Sequence, residues 1–351
     1  MSDIFKNILS AEESLFINEI ALDFEYLPKE LPYRENQQHY LAECIAPLFQ
    51  KRLGKNILIV GKPGIGKTAA LKFILREMEE KGLDNQAIPL YVNCWKKETT
   101  HKIVLDICNQ LGYKWVQNKK TDEILKEITE ILNKKTAVIV LDEIDKIDSD
   151  QIIYQLLEDI YHKTFFLITN EKDWLAEMDS RVRSRLIPEI VEFEPYNLKE
   201  TEGILRRRLD AAFVKNVFDD GAFNLIAKKC FELADLRSGL FLLRHAGLIA
   251  ESKASRKILP EHASLAIEKL ASMKIRNSKD LTDEEKYVLA LIKQMQGKSS
   301  TEIYEEYKKV HDKTYRTFYR KVKELEAAGL IQIEELISEV GGRSSLLKLV
   351  S

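Results

Sequence analysis

The chain reads as an α/β protein built on a five-stranded parallel sheet, followed by an all-helical region and a smaller C-terminal unit of three helices and a β-hairpin. Three observations predict this. Short apolar runs of strand length alternate with helical patterns through the first half. Those runs stop after Pro195. Beyond residue 280 the chain carries two helix-start signatures, a basic third helix and an alternating tail.

The strand runs are Ile57–Val60, Ile88–Val92, Ala137–Leu141, Phe165–Ile168 and Ile190–Phe193. All but the last are nearly continuous in apolar residues, as strands covered on both faces of a parallel sheet require. Helical patterns lie between them at Thr68–Lys81, Thr100–Leu111, Thr121–Leu132 and Gln151–Tyr161. This alternation predicts helices on both faces of the sheet. From Leu198 to Leu270 only helical periodicity is seen, with Ile204, Leu205 and Leu209, then Phe223, Ile226 and Ala227, on apolar faces. A polar linker is expected at Lys274–Asp280. Thr282 with Glu285, and Ser299 with Glu302, form capping boxes that open two helices. A third runs from Lys313 to Ala328 and ends at Gly329. Leu330–Ile337 and Leu346–Val350 flank Gly341-Gly342, a hairpin pattern. Three helices and a hairpin are the order of a winged helix-turn-helix.

Composition excludes several classes. At 351 residues, 45% hydrophobic and 31% charged, the chain can bury a real core, so disorder and disulfide scaffolds are excluded. Its net charge of −2 excludes a uniformly polybasic protein; nucleic-acid binding must rest on a local patch. Cys44, Cys94, Cys108 and Cys230 show no metal-ligand spacing and are expected as reduced thiols. No apolar run approaches the ~20 residues that cross a bilayer, and Met1–Lys6 lacks the layout of a signal peptide. A cytoplasmic location without membrane contact is expected.

Gly61-Lys62-Pro63-Gly64-Ile65-Gly66-Lys67-Thr68 fits G-x-x-x-x-G-K-[ST] between a strand and a helix. Backbone N–H groups of this loop, from Gly64 and Ile65 on to Ala69, are placed to curl around phosphates at a helix N-terminus, with Pro63, which has no N–H, as part of the same ATP-binding loop. Lys67 is expected to reach the β/γ-phosphates and Thr68 to bind Mg²⁺. Asp142-Glu143 follows an aliphatic strand, where ligands gather in open α/β sheets. Asp142 is expected to hold Mg²⁺ and Glu143 to activate water. Asn170 ends another apolar strand and could bond the γ-phosphate or the attacking water.

With these motifs, Asp179-Ser180-Arg181-Val182-Arg183-Ser184-Arg185-Leu186 resembles the AAA+ ATPases, and the chain is more closely similar to the archaeal replication initiators related to the eukaryotic origin recognition complex and its helicase-loading partner. Tyr26–Glu35 resembles that family's adenine-side segment, with Tyr33 in place of the usual His. Phe193–Asn197 resembles its hinge, and Asp235–Ala246 the lid helix bearing the second sensor. The resemblance spans nearly the whole chain. It implies an AAA+ P-loop ATPase core at 1–195, a helical lid at 196–273 and a winged-helix domain at 274–351. It makes Asn170 the first sensor and Arg237 the second, and it implies nucleotide contacts from Arg34, Tyr196 and Arg208. Arg185 matches the position of an arginine finger acting on a neighbouring subunit. The family inserts a DNA-touching helix where Cys94–Lys102 stands; its lysines and Trp95 could serve that role, although a buried Trp95 is the expectation.

In the third helix, Phe318, Val322 and Leu325 share one face, while Arg316, Arg320 and Lys323 follow the same spacing on another. Lys313 to Lys323 holds five basic residues, Lys321 included, and no acid, although residues 277–351 hold 13 of each sign. Such a stripe is placed to enter a major groove. Thr314, Thr317 and Tyr319 could donate to phosphates, and Arg343 could approach the backbone or minor groove from the hairpin.

The resemblance thus implies an ATP-controlled initiator that binds double-stranded origin DNA, helps recruit the replicative helicase, and associates with nucleoid DNA in the cytoplasm. Other copies or paralogues of the initiator are possible partners. ATP and ADP with Mg²⁺ are the expected ligands. Hydrolysis is expected to be slow and switch-like, since a missing trans arginine forfeits a typical 10³–10⁵ in rate. Two alternatives stand beside it. One is a diverged paralogue or transcription-type regulator using nucleotide as a switch; the other is an oligomeric, clamp-loader-like machine.

Overall fold

The computed structural model describes residues 14–113, 119–276, 281–295, 298–311, 313–327, 330–337 and 343–349. The chain separates into two compact units, Met1–Ala263 and Ser264–Ser351. Among the described residues, no helix is long and apolar enough to cross a membrane.

The first unit is built on β1 (Ile57–Val60), β2 (Ala87–Asn93), β3 (Thr136–Asp142), β4 (Lys163–Thr169) and β5 (Glu189–Glu192). All pairings are parallel and the order is β2-β3-β4-β1-β5. The pleat sends alternate residues to opposite faces, and both are covered. Ile57, Ile59, Val138, Val140 and Phe166 pack with α1 (Glu35–Ile45) and α2 (Lys67–Glu80). Leu58, Val60, Ile139, Leu141 and Phe165 pack on the other side. Their partners are α3 (Thr100–Gln110), α4 (Thr121–Leu132), α5 (Gln151–Asp159), α6 (Trp174–Glu177) and α7 (Ser180–Leu186). Every residue of β3 is buried, which explains its unbroken apolar pattern. β5 is an edge strand with exposed outer residues, matching its mixed composition.

α8 (Leu198–Ala212), α9 (Asp220–Leu233) and α10 (Leu236–Ser252) follow without further sheet strands. A side chain caps each: Asn197, Asp219 and Asp235 accept from first-turn amides. Their shared interior includes Leu205, Phe213, Phe223, Ile226 and Leu243. α11 (Pro260–Arg276) starts in the first unit and continues into the second.

The second unit holds α12 (Asp283–Gln294), α13 (Ser300–Lys308), α14 (Tyr315–Ala327) and an antiparallel pair, β6 (Ile331–Ile337) and β7 (Arg343–Leu349). Both capping boxes form: Thr282 Oγ1 accepts from the Glu285 amide and Ser299 Oγ from the Glu302 amide, each at 3.3 Å. Phe318, Val322 and Leu325 are fully buried with Val288, Ile303 and Leu347. The linker expected at Lys274–Asp280 begins later than its polar composition suggests, since residues 274–276 still belong to α11; residues 277–280, the helix-ending Gly329 and the hairpin-tip Gly341-Gly342 lie outside the described residues.

Candidate functional site

The strand order sets the site. Val60 pairs with Thr169, so the loop after β1 lies beside the end of β4, while Asp142 ends β3, one strand further over. A cavity of about 650 Å³ opens at these strand ends and continues to the lid helices. It is bordered by Pro63 to Ala69, Asp142, Glu143, Asn170, Tyr196 and Arg237.

The glycine loop is shaped by two left-handed residues, Gly64 at φ 75° and Gly66 at φ 90°, a region costly for any residue with a Cβ. A Cβ at Gly64 would stand 1.9 Å from Asp235 Oδ1, so this glycine also allows the lid to approach. Lys67 opens α2 and is buried. Its Nζ donates to Gly61 O at 2.6 Å, Lys62 O at 2.8 Å and Asn170 Oδ1 at 2.8 Å. Gly61 itself does not border the cavity; it serves through that carbonyl. Burial pulls the Lys67 ammonium down to about 8, partly offset by Asp142. Thr68 Oγ1 donates to Asp142 Oδ2 at 2.7 Å. Asp142 is 2% exposed, and its Oδ1 accepts from the Glu143 amide at 2.9 Å. Glu143 sits in the left-handed region at φ 55°, an uncommon state for a side-chain-bearing residue and one often kept at functional sites. Burial and the neighbouring Asp142 charge raise its carboxyl above the ordinary range, while Arg237 acts against them.

The lid touches this end directly. The Leu236 amide donates to Gly64 O at 3.2 Å. Asp235 caps α10 through the Arg237 amide at 3.0 Å and the Ser238 hydroxyl at 2.7 Å. Arg237 therefore stands in the first turn of α10, the positive end of the helix dipole, where a cation is disfavoured unless an anion joins it.

These residues fit a nucleotide phosphate with a divalent ion. The Thr68 hydroxyl and Asp142 carboxylate already meet as a hard-oxygen pair, of the kind Mg²⁺ takes beside phosphate. The glycine cradle is shaped for closely approaching oxygens.

Two expected contacts, Arg34 and Arg208, are placed differently. Arg34 does not border the cavity. It is buried, donates to Ile65 O at 3.2 Å and Glu194 O at 2.6 Å, and stacks 3.9 Å from the Tyr196 ring. It supports the loop from beneath, because a buried guanidinium takes the backbone carbonyls within its reach. Arg208 borders the cavity, yet its guanidinium donates to Ala21 O and Tyr26 O, both at 2.9 Å. Arg185 lies away from the cavity, paired with Glu158 at 3.0 Å and resting 4.7 Å from the Tyr154 ring. Trp95 is also a correction: it is 61% exposed, with Lys146 Nζ 5.9 Å from its ring, because it falls in the turn after β2 and not on a sheet-facing position.

Sequence reasoning missed several contributors. Tyr91 on β2 donates to Asp142 Oδ2 at 2.7 Å, and burial followed by the Asp142 charge raises its phenol. Asp145, 1% exposed at its side chain, accepts from Thr169 Oγ1 at 2.9 Å beside Asn170. A polar residue inside an apolar strand was the available signal for Tyr91. Asp145 lay in sight, three residues beyond Asp142.

On α14 and just before it, the expected DNA-facing lysines meet acids. Lys313 pairs with Glu284 at 2.9 Å and Lys323 with Glu326 at 2.9 Å. Arg320 lies 3.9 Å from Glu324. Lys321 is mostly covered, 16% exposed, between Glu324 at 2.6 Å and Glu285 at 3.5 Å, so its charge is turned inward. Thr314 and Thr317 bond each other at 3.1 Å, and Tyr319 Oη reaches Ser345 Oγ at 3.4 Å. Arg316 and Arg343 have described backbones, in α14 and β7, but their side chains lie outside the described residues.

Comparison with known proteins agrees with this geometry. The AAA domain family matches residues 51–171, and the Cdc6 AAA+ ATPase-type lid domain matches residues 202–268. The ORC1-type DNA replication protein 1 of Sulfurisphaera tokodaii is 36% identical over 282 residues, covering 76% of this chain and 70% of that protein. Its counterpart in Archaeoglobus fulgidus is 30% identical over 372 residues, covering 99% and 90%. Among solved structures, the Aeropyrum pernix ORC1 protein in complex with DNA matches with a TM-score of 0.73 at 26% identity, over 96% of this chain and 94% of that one. The chain belongs to the ORC1-type DNA replication protein family of AAA+ proteins.

Proposed function

From that membership we propose that the chain is an ATP-controlled replication initiator: it binds origin duplex DNA in the nucleoid, helps recruit the replicative helicase, and hydrolyses ATP slowly as a switch. The observation that carries the switch is the lid seated on the phosphate loop, Leu236 on Gly64, with Arg237 in the same cavity as Lys67. A γ-phosphate would give Arg237 an anion from the ligand, beyond the Asp235 carboxylate that caps the same helix, so ATP and ADP would hold the lid differently.

In this reading residues 1–195 bind nucleotide, 196–273 form the lid and 274–351 form a winged helix that binds DNA. Lys67 and the loop amides from Gly64 to Ala69 hold the phosphates, with Gly61 and Pro63 shaping the start of the loop. Thr68 and Asp142 would hold Mg²⁺, which would neutralise charge on the phosphates. Glu143 takes the proton of the attacking water. Asn170 orients that water, and Lys67 holds it in register. Tyr196 supports the loop. Arg185 is kept as a candidate for contact with a second initiator copy, one that would first have to draw it off Glu158.

DNA binding is supported by the relative solved with DNA and by the basic α14. The internal pairing of Lys313, Lys321 and Lys323 favours one second reading, a regulatory paralogue whose C-terminal unit binds duplex weakly or binds protein instead. Binding to the chromosomal origin and to a scrambled duplex, with ATP or ADP at two salt concentrations, separates them. We expect nucleotide-dependent preference for the origin, lost in Arg316→Ala/Arg320→Ala. Equal, weak binding to both duplexes would support the paralogue.

A further inference from the structure

Residues 24–32 line one wall of the cavity without regular secondary structure. This strap is held from two sides. From the core, Arg76 on α2 donates to Leu27 O at 3.2 Å and Pro28 O at 2.8 Å. From the lid, Arg208 on α8 donates to Tyr26 O at 2.9 Å and, just upstream, to Ala21 O at 2.9 Å. Arg207 adds an ion pair with Glu30 at 2.6 Å. Both clamps grip main-chain carbonyls, so they set the path of the backbone whatever the strap's side chains are.

The spacing along α2 says what the strap faces. Lys67 opens that helix and Arg76 follows nine residues later, about 13 Å away at the rise of an α-helix. That is the reach from a phosphate to the far side of a nucleobase. Loop and strap therefore stand at the two ends of one ligand-sized space, joined by a single rigid helix.

We propose that Arg76 and Arg208 are positioning residues that jointly fix the base-side wall of the cavity, the first from the core and the second from the lid. The proposal rests on the cavity being a nucleotide site. The strap holds its place only while core and lid both grip it. Affinity for the nucleoside part of the ligand then depends on both arginines, and affinity for the phosphates on neither.

The test uses the full chain and the variants Arg76→Lys, Arg208→Lys and their combination. Lysine keeps the charge but cannot span two carbonyls with a planar fork. Binding of ATP, ADP and inorganic tripolyphosphate is measured by calorimetry, with a thermal midpoint for each protein. Each single variant should weaken ATP and ADP about tenfold, the loss of one charge-assisted contact, and leave tripolyphosphate within twofold. The double variant should be scarcely worse than either single one, because releasing one side already frees the strap. Unchanged ATP affinity in Arg76→Lys would overturn the proposal, as would a parallel loss of tripolyphosphate, which would mean general damage. If Arg208→Lys fails to fold, Arg76→Lys, on the partly exposed side, decides alone. A wild-type protein that binds ATP and ADP, with variants that keep that affinity, would overturn this proposal alone; a wild-type protein that binds no nucleotide would overturn the nucleotide reading too.

Discussion

The phosphate loop and the α14 face are both runs of positive charge, and the fold treats them in opposite ways. Lys67 is buried among neutral acceptors, and burial pulls its ammonium down to about 8. On α14, Lys323 stays at the surface and Lys321 is mostly covered, and both are already paired with carboxylates. Glu324 raises Lys321, and Glu285 is held at about 2, chiefly by its bond to Thr282 and in part by Lys321. A buried cation whose direct partners are neutral oxygens, with Asp142 offsetting its burial only in part, pays for its desolvation until a ligand anion comes. A surface cation takes whatever carboxylate lies near, at a gain of only about 0–1 kcal/mol. The cavity is thus built for a ligand, whereas DNA would have to exchange phosphates for carboxylates along α14.

The largest effect that could break this contrast is at Glu143. Glu143→Gln should slow single-turnover ATP hydrolysis by roughly 10²–10⁴ while leaving ATP binding intact; unchanged hydrolysis would remove Glu143 from the chemistry. Arg237→Ala should weaken ATP about tenfold and ADP hardly at all, as expected of one charge-assisted bond to the γ-phosphate. An equal loss for both nucleotides would place Arg237 elsewhere.

The pH dependence sharpens the contrast further. In the free protein Lys67 loses its proton as pH rises through about 8, against 10.5 for an ordinary lysine. Bound phosphate restores the charge, so nucleotide binding should take up a proton above pH 8, with affinity falling by up to about tenfold per pH unit. Calorimetry in buffers of different ionisation enthalpy checks this. Between 8 and 10.5 the unfolded chain binds more protons at this site than the folded one. Lys67 should therefore make the nucleotide-free protein more stable as pH rises through that window.

The smallest effect belongs to α14. Glu326→Gln should release Lys323 from that ion pair and strengthen duplex binding a few-fold, with a steeper dependence on salt. A titration at two salt concentrations would show it. No change would mean that Lys323 does not meet phosphate.

What the sequence made legible follows from how local each feature is. Lys67, Thr68 and the glycines work through spacing within one loop, and their geometry is that of the motif. Asp142 was found because a buried strand ending in acids is a local pattern too. Arg34 and Arg208 were given to the nucleotide, but their guanidinium groups hold carbonyls 31 and more than 180 residues away in sequence. No spacing rule reaches that far. The α14 stripe was legible as a helix face with its apolar side correct. Its counter-charges on α12, Glu284 and Glu285, came from packing that a linear count of basic residues does not see. Trp95 shows the same limit, since aromatic character alone does not tell a core position from a turn.

The strand order has one more consequence. Because β4 lies between β1 and β3, the backbones of the two strands that carry the phosphate loop and Asp142 are separated by two strand spacings, about 9.6 Å, which the side chains of Thr68 and Asp142 bridge. That interval is a ruler cut by topology. Point substitutions can alter what stands at its marks, and drift over long periods can replace nearly every side chain around it. The gauge itself can be lost only by rethreading the sheet. Descendants of this chain that abandon hydrolysis would therefore still carry a slot of the same width, available to other phosphorylated ligands.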